Sequence, residues 1–178
     1  MLPGAIVGPR SVGAVTVEWA PRDDRTNSVV FRRAVEADLS DVIGLLNDDQ
    51  FGQARNPLFS EAPSDSQSAF AYLVDNRDNG EIVAVRDHRI IGCYQLTFIR
   101  GLSHSGAERA QIESVRIAGD LRGGGLGTLL MEDAIERARL RGCFLVQLTT
   151  DLRREHTRRF YERLGFVASH HGMKQTLM

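Results

Sequence analysis

Three groups of residues in this chain have the types and the spacing that chemistry requires. The first is a glycine-rich segment between a predicted strand and a predicted helix: Arg122, Gly123, Gly124, Gly125, Leu126, Gly127 and Thr128. Glycines at the start of a helix let the backbone approach a ligand closely, and the first N–H groups of a helix have no partner within it. The helix dipole adds about half a positive charge there, so the segment predicts a phosphate-binding site.

The spacing of the glycines excludes two common phosphate-binding loops. A Walker loop ends in Gly-Lys followed by Ser or Thr, and no lysine follows these glycines. A dinucleotide-binding loop has the pattern Gly-x-Gly-x-x-Gly, but the sixth residue is Thr128 when counted from Gly123 and Leu130 when counted from Gly125. The loop by itself leaves open the alternative of an ordinary glycine-rich turn.

The second group lies on the strand before the loop, where the apolar pattern changes parity. Ala110 and Ile112 occupy even positions, whereas Val115 and Ile117 occupy odd ones. A regular strand cannot place all four on one face, because successive side chains alternate. One extra residue near positions 113–114, a β-bulge, reconciles the pattern and frees main-chain groups to bind a ligand. A strand buried on both faces is the alternative.

The third group lies at a predicted helix end, over residues 160–166, which read FYERLGF. Gly165 is typical of the residue that ends a helix, and Phe166 begins the next predicted segment. Taken alone, this segment is a corner with packed aromatic rings, in which Tyr161 contributes only its ring.

Two motifs together carry a resemblance to a known family. The first is Arg122-x-x-Gly125-x-Gly127 between a strand and a helix, and the second is Tyr161-x-x-x-Gly165-Phe166, one predicted strand later. In this order they resemble the cofactor loop and the C-terminal signature of the GCN5-related N-acetyltransferases (GNAT). The resemblance covers residues 109–170, with a weaker likeness from Val29 onward.

The resemblance implies acetyl-CoA as co-substrate and assigns roles to the three groups. The loop residues 122–128 bind its pyrophosphate, and the bulged strand holds its pantetheine arm and acetyl carbonyl through Val115, Arg116 and Ile117. Tyr161 protonates the departing thiolate, and Glu113 accepts the proton of the amine, directly or through water. The alternative for Glu113 is an ion pair with Arg109, Arg116 or another arginine.

Weaker candidates lie elsewhere. Arg153 and Arg154 are candidates for the 3′-phosphate, although relatives often have Asn near this strand end where this chain has Asp151 and His156. Side chains that could line an acceptor pocket are His104, Arg109 and Arg55. His170 and His171 do not predict a metal site, because adjacent strand residues point to opposite faces and no third ligand is indicated.

Composition limits the classes of protein to consider. The chain has 178 residues with 42% hydrophobic and 25% charged residues, which is typical of a soluble globular protein. A net charge of −1 argues against a nucleic-acid-binding protein, and no apolar run is long enough to span a membrane. Cys93 and Cys143 lie in apolar contexts, so we expect two buried reduced thiols and a cytoplasmic location.

The order of the predicted elements indicates a mixed α/β (α+β) fold, with a mostly antiparallel sheet, a central β-bulge and helices on both faces. We expect an N-terminal extension over residues 1–28 and a GNAT domain over 29–178. Strands are predicted at 29–34, 81–86, 89–100, 109–118, 144–149 (a buried strand) and 166–177 (a strand or hairpin). Helices are predicted after a cap at Asp38, from Ser64 or Ser66 to Asn76, and at 125–141 and 154–164, with a loop at 47–63.

The long helix at 125–141 has an apolar stripe that predicts its buried face: Leu126, Leu129, Leu130, Ala134, Ile135, Ala138 and Leu140. This stripe fixes the position of the glycine-rich loop and binds no ligand itself.

The sequence therefore predicts an N-acetyltransferase that transfers an acetyl group from acetyl-CoA to a primary amine of a small molecule, by direct attack in a ternary complex and without a metal. The alternative is a non-catalytic regulatory module that binds acyl-CoA. Neither a nucleic acid nor a membrane is an expected partner, and a homodimer remains an open alternative. The acceptor is not defined by these motifs, because variable loops build its pocket.

Overall fold

The computed structural model describes residues 29–48 and 64–177. The predicted extension at 1–28 and most of the predicted loop at 47–63 lie outside the described residues. A five-stranded sheet in the order β1-β2-β3-β4-β5 forms the centre. Its strands are β1 Val30–Arg33, β2 Asn79–Arg86, β3 Arg89–Arg100, β4 Glu108–Ile117 and β5 Leu145–Leu148. The pairs from β1 to β4 are antiparallel and only β4–β5 is parallel, so the predicted mixed, mostly antiparallel sheet is confirmed.

Helices cover both faces of this sheet, as predicted. They are α1 Leu39–Asn47, α2 Ser64–Asp75, α3 Leu126–Arg141 and α4 Glu155–Arg163, and 3-10 turns lie at Glu36–Asp38 and Gly119–Leu121. Helices α1 and α2 pack on one face with Val83 and Cys93. Helices α3 and α4 pack on the other face with Ala84 and Ile112. Within the described residues, no helix is long and apolar enough to cross a membrane.

The core stripe of α3 is largely as predicted. The helix buries five side chains against the sheet: Leu126, Leu130, Met131, Ala134 and Ala138. The prediction was wrong for Leu140, which is 61% exposed because it lies about 200° around the helix from the buried Ala138. Gly142 follows with φ 84° and donates its N–H to the carbonyls of Ala138 and Arg139, which ends the helix as a glycine C-cap does.

The β2–β3 hairpin forms with the tight turn that its sequence indicates. Asp87 and His88 connect the strands, and both have the positive φ angles (51° and 61°) that a two-residue hairpin turn needs. Asp38, by contrast, does not cap α1 with its side chain. Its carboxylate accepts the N–H of Val35 at 2.8 Å and pairs with Arg32 at 2.6 Å, because a 3-10 turn precedes the helix and redirects the side chain.

Three further predictions need correction. Residues 144–149 do not form a buried strand: β5 is shorter, and all four of its residues are half-buried because it lies at the edge of the sheet. Residues 166–177 form no strand, and most of them are exposed. Both cysteines are free, but only Cys93 is buried and Cys143 is half-buried.

Candidate active site

The centre of the candidate site is a β-bulge in β4. Glu113 pairs with Gln95 and Arg116 with Cys93, so β4 uses three steps where β3 uses two. Ser114 and Val115 therefore both lie opposite one residue of β3, and Ser114 has a φ of 53°. The parity change predicted this feature at the correct position. The bulge bends the strand and changes which side chains face each side of the sheet.

The bulged part of β4 also has an open edge. β4 and β5 pair only from Arg109 and Leu145 to Ile112 and Leu148. Beyond Ile112, no strand pairs with the β5 side of β4 within the part of the chain that the structure describes. The main chain of residues 113–117 is thus available to an extended ligand on that side, as an added strand would use it.

A buried network of hydrogen bonds and one ion pair fixes the strand that faces the bulge. Tyr94, the residue of β3 that lies opposite the bulge, is fully buried and donates its hydroxyl hydrogen bond to Asp133 of α3. Arg137 pairs with the same carboxylate at 2.7 Å and donates to the carbonyl of Phe31 at 3.2 Å. This network ties α3, and with it the loop before α3, to the sheet behind the bulge.

The glycine-rich loop has the backbone conformation of a ligand-binding turn. Gly123 and Gly125 have φ angles of 80° and 87°. Residues other than glycine adopt such positive φ angles only with backbone strain. The amide of Gly124 donates to Leu121 and that of Thr128 to Gly125. No hydrogen bond within the described residues uses four further amides of this segment: Gly123, Gly125, Leu126 and Gly127. These N–H groups lie at the N-terminus of a helix of 16 residues, where an anion is stabilised.

Arg122 is placed in the loop but acts through a contact that the sequence did not indicate. Its guanidinium donates to the carbonyl oxygen of Asp48 at 2.7 Å, to the Asp48 carboxylate at 2.9 Å and to the Ile117 carbonyl at 3.3 Å. It therefore ties the loop to the end of α1 and to the end of β4. Because the partner is 74 residues away in the chain, no local pattern predicts this contact.

Gly127 brings three elements close together. A Cβ atom at this position would lie 3.2 Å from the Cδ1 atom of Ile117 and 3.4 Å from the Cζ atom of Phe160. The absent side chain lets α3 pack tightly against the end of β4 and against α4. The next residue of α4, Tyr161, packs against the same core cluster as Val115 of the bulge.

Tyr161 is half-buried and its ring is fixed by two aromatic neighbours. The ring centroids of Phe160 and Phe166 lie 5.2 and 5.9 Å away. Burial raises the pKa of the Tyr161 hydroxyl above its usual value, and the positive charges of Arg116 and Arg154 oppose that rise. The hydroxyl therefore keeps its proton at neutral pH, as a general acid must.

Glu113 lies directly before the bulge and is exposed. The alternative of an ion pair with an arginine is not observed among the described residues. Because the side chain is exposed, water can carry a proton to its carboxylate.

Sequence reasoning missed a polar face of the sheet beside the bulge. The strand register places these side chains on the face that α1 and α2 partly cover: Asn79, Glu81, Gln95, Thr97, Gln111, Glu113 and Gln147. Asn79 accepts from Gln95 and from Thr97 at 2.9 Å, and Gln147 donates to Gln111 at 2.7 Å. The available signal was the alternation of polar residues within four otherwise apolar strands.

The remaining candidates lie away from this centre. His104 stacks on Phe144 (ring centroids 4.5 Å apart) beside the start of β4, at the opposite end of that strand from the bulge. Arg109 is one residue from that same end of the strand, roughly 13 Å along the strand from Glu113. Arg55 lies outside the described residues. Arg153 pairs with Asp151 at 2.7 Å, and the described residues contain no metal-ligand cluster.

The described fold is a mixed sheet in which a bulged, open-edged strand leads to a glycine-rich helix N-terminus. The chain belongs to the Acetyltransferase (GNAT) family, whose model matches residues 43–166. It is an acetyltransferase of that family, which uses acetyl-CoA as co-substrate. Unpaired loop amides, the helix N-terminus and the open edge of β4 fit the pyrophosphate and the pantetheine arm of that molecule.

Individual relatives support the same family. The chain is 34% identical over 123 residues to a glucosamine 6-phosphate N-acetyltransferase from Trypanosoma brucei brucei, covering 66% of this chain and 82% of that protein. A solved transcriptional regulator from Bacillus halodurans C-125 is 42% identical with a TM-score of 0.78, covering 84% and 99% of the two chains. An acetyltransferase from Trypanosoma brucei is 28% identical with a TM-score of 0.68 over 84% and 99%.

Proposed function

We propose that this protein transfers the acetyl group of acetyl-CoA to a primary amine of a small molecule by direct attack in a ternary complex. The observation that carries the proposal is the unpaired loop amides beside an open, bulged strand and a protonated tyrosine. In this arrangement the amides of Gly123, Gly125, Leu126 and Gly127 bind the pyrophosphate, and the main chain of residues 115–117 binds the pantetheine arm.

The chemical step requires a neutral amine. An amine with a pKa near ~10.4 is about 99.9% protonated at pH 7, and removing the proton costs roughly 4–5 kcal/mol. Glu113 accepts this proton through water, since its carboxylate is exposed beside the bulge. The amine nitrogen then attacks the thioester carbonyl carbon, and the Val115 N–H stabilises the oxyanion without reorganising.

Collapse of the tetrahedral intermediate breaks the carbon–sulfur bond. The departing CoA thiolate takes the Tyr161 proton, and the amine nitrogen loses its remaining extra proton to solvent. The products are the amide and free CoA, and Tyr161 regains its proton from water. Its raised pKa supports this role, because the hydroxyl stays protonated until the thiolate forms.

We infer the chemical class of the acceptor from the polar face of the sheet and from the name of one relative. Side-chain amides and a hydroxyl on the polar face offer both donors and acceptors to a polyhydroxylated amine. The relative that is 34% identical acetylates, by its name, glucosamine 6-phosphate. Amino sugars are therefore the first acceptors to test, followed by amino acids, polyamines and protein N-termini.

The test is turnover with a panel of amines, with free thiol measured as CoA is released and the acetylated product identified by mass spectrometry. We expect thiol release that depends on one class of amine. Acetyl-CoA binding in calorimetry without turnover of any acceptor would instead favour a regulatory module, an alternative that the name of the Bacillus halodurans relative favours. Absence of any CoA binding would contradict both the proposed enzyme and the regulatory module.

A further inference from the structure

Asp48 is a carboxylate at the C-terminal end of α1 that the proposed mechanism does not use. The last carbonyl groups of a helix carry partial negative charge, so a carboxylate at this end is unfavourable for the helix itself. Its ion-pair partner is Arg122, the first residue of the glycine-rich loop, at 2.9 Å. This contact with the loop, and not the stability of α1, explains a carboxylate at this position.

Arg122 is held by acceptors from three places in the chain. Its Nη2 atom donates to the carbonyl oxygen and to the carboxylate of Asp48 at 2.7 and 2.9 Å, and its Nε atom donates to the carbonyl of Ile117 at 3.3 Å. Its main-chain amide donates to the carbonyl of Gly119 at 3.4 Å. Three of its four donor nitrogens therefore already have acceptors within the chain.

The turn before the loop leaves room for the Asp48 carboxylate. A Cβ atom at Gly119 would lie 2.9 Å from the Oδ2 atom of Asp48, so the absence of a side chain lets the carboxylate approach the turn. Gly119 begins the 3-10 turn that connects the end of β4 to the loop. The carboxylate therefore lies against the start of this connection, at Gly119, and pairs with its end, at Arg122.

The two parts of the proposed CoA site meet at this connection. The pantetheine arm uses the main chain of residues 115–117, and the pyrophosphate uses loop amides that begin at Gly123. Arg122 bonds to the Ile117 carbonyl across the turn between these parts. One long ligand contacts both parts at once, and fixing their relative position beforehand lowers the entropy that binding costs.

We propose that Asp48 is a positioning residue for CoA, because it holds the Arg122 guanidinium where it joins the end of β4 to the loop. The Arg122 side chain then acts by bridging these segments and is not itself a ligand of the phosphate. This role rests on the proposed binding of the pyrophosphate by the loop amides.

A direct attraction between Arg122 and the pyrophosphate would give the opposite result at Asp48. The carboxylate would then compete with the ligand for the guanidinium, and its removal would tighten CoA binding. If Asp48 positions Arg122, Asp48→Asn should instead weaken CoA binding in calorimetry about fivefold. Arg122→Lys keeps the charge but loses the planar group that bridges several acceptors, so it should weaken binding at least as much.

Two further measurements test whether Asp48 acts through Arg122 on the pyrophosphate. The double variant of Asp48→Asn and Arg122→Gln should bind CoA as Arg122→Gln alone does, because the second change removes what the first one positions. Pantetheine lacks the pyrophosphate, so its affinity should be the same in all these variants as in the wild type. Both side chains are about half exposed, so we expect the variants to fold.

Asp120→Asn is the matched control. Asp120 lies in the same turn and pairs with Arg89 through two hydrogen bonds of 2.8 and 2.9 Å, and both side chains are exposed to a similar degree. Its substitution should change the denaturant unfolding curve as little as Asp48→Asn does. CoA affinity should stay at the wild-type value, because Asp120 holds no residue of the loop.

The outcomes separate this role from the proposed function. Unchanged or tighter CoA binding in Asp48→Asn, wild-type affinity in Arg122→Lys, or an equal loss in Asp120→Asn overturns the positioning role and leaves the proposed acetyl transfer in place. An equal loss of pantetheine affinity overturns it as well, since the effect would then not depend on the pyrophosphate. A wild-type protein that binds no CoA contradicts the proposed function and, with it, the role of Asp48.

Discussion

Tyr161 combines a hydroxyl that keeps its proton with a ring that its aromatic neighbours hold in place. Tyr161→Phe removes only the hydroxyl and keeps the ring packing. If the hydroxyl protonates the thiolate, kcat should fall about 100-fold while acetyl-CoA binds as before. Steady-state thiol release and calorimetry measure the two quantities. Tyr72→Phe, at an exposed position of α2, is the matched control, and equal kcat values for the two variants would refute the acid role.

Glu113 is the proposed acceptor of the amine proton, and its substitution tests that proton transfer. Its carboxylate is exposed, so Glu113→Gln should leave the fold and acetyl-CoA binding unchanged. We expect kcat/KM at pH 7 to fall at least about tenfold, because the amine loses its proton acceptor. The measurement is the initial rate over a range of acceptor concentrations. An unchanged kcat/KM would mean that the amine loses its proton to water alone.

At the scale of the elements, the loop before α3 offers a test with a built-in control. Gly125 begins the helix at φ 87° and Gly142 ends it at φ 84°, and at both sites no atom of the described residues lies within 4 Å of an added Cβ. Gly125→Ala and Gly142→Ala should each lower the free energy of unfolding by about 1 kcal/mol, through the same backbone strain.

Only the change at Gly125 should affect CoA. Reorienting the loop amides removes hydrogen bonds to the pyrophosphate, and we expect CoA affinity to fall about tenfold or more. Denaturant unfolding and calorimetry on both variants provide the comparison. If Gly142→Ala weakens CoA binding as strongly, the effect belongs to helix stability and the loop has no special role.

The elements also show what the sequence could and could not predict. The bulge was predictable because a change in parity is a local signal with one simple structural solution. The polar face was visible in each strand as alternation, but only the register across four strands joins Asn79, Gln95, Gln111 and Gln147 into one surface. The segment 166–177 has apolar residues suited to a strand, yet a strand also needs a partner that local sequence does not specify.

On the scale of the whole molecule, contacts between distant residues complete the site. Asp48 fixes Arg122, and Asp133 of α3 accepts the Tyr94 hydroxyl opposite the bulge. These pairs join the end of α1 to the glycine-rich loop and α3 to β3. None of them follows from the motifs, because a motif defines residues that are close in the chain whereas these contacts depend on the packing of separate elements.

Glu81 also predicts how the stability of the molecule depends on pH. Burial raises its pKa from 4.5 to about 7 in the folded protein, although Cys93 and Arg116 oppose the rise. Between these values the folded state binds more protons than the unfolded state, so stability is greatest below about pH 4.5 for this group and is lost as the pH rises through 7. The full loss is about 3 kcal/mol.

We therefore expect the free energy of unfolding of the wild type to fall between pH 5 and pH 8, and we expect Glu81→Gln to remove most of this fall. The glutamine side chain does not titrate. The stability of the variant relative to that of the wild type should therefore rise with pH, even if the glutamine amide lacks a hydrogen-bond partner. Denaturant titrations at several pH values measure the difference. Glu113→Gln changes an exposed carboxylate in the same way and should retain the wild-type fall. Parallel curves for the wild type and Glu81→Gln would show that the Glu81 carboxyl does not titrate between the two states as its burial requires.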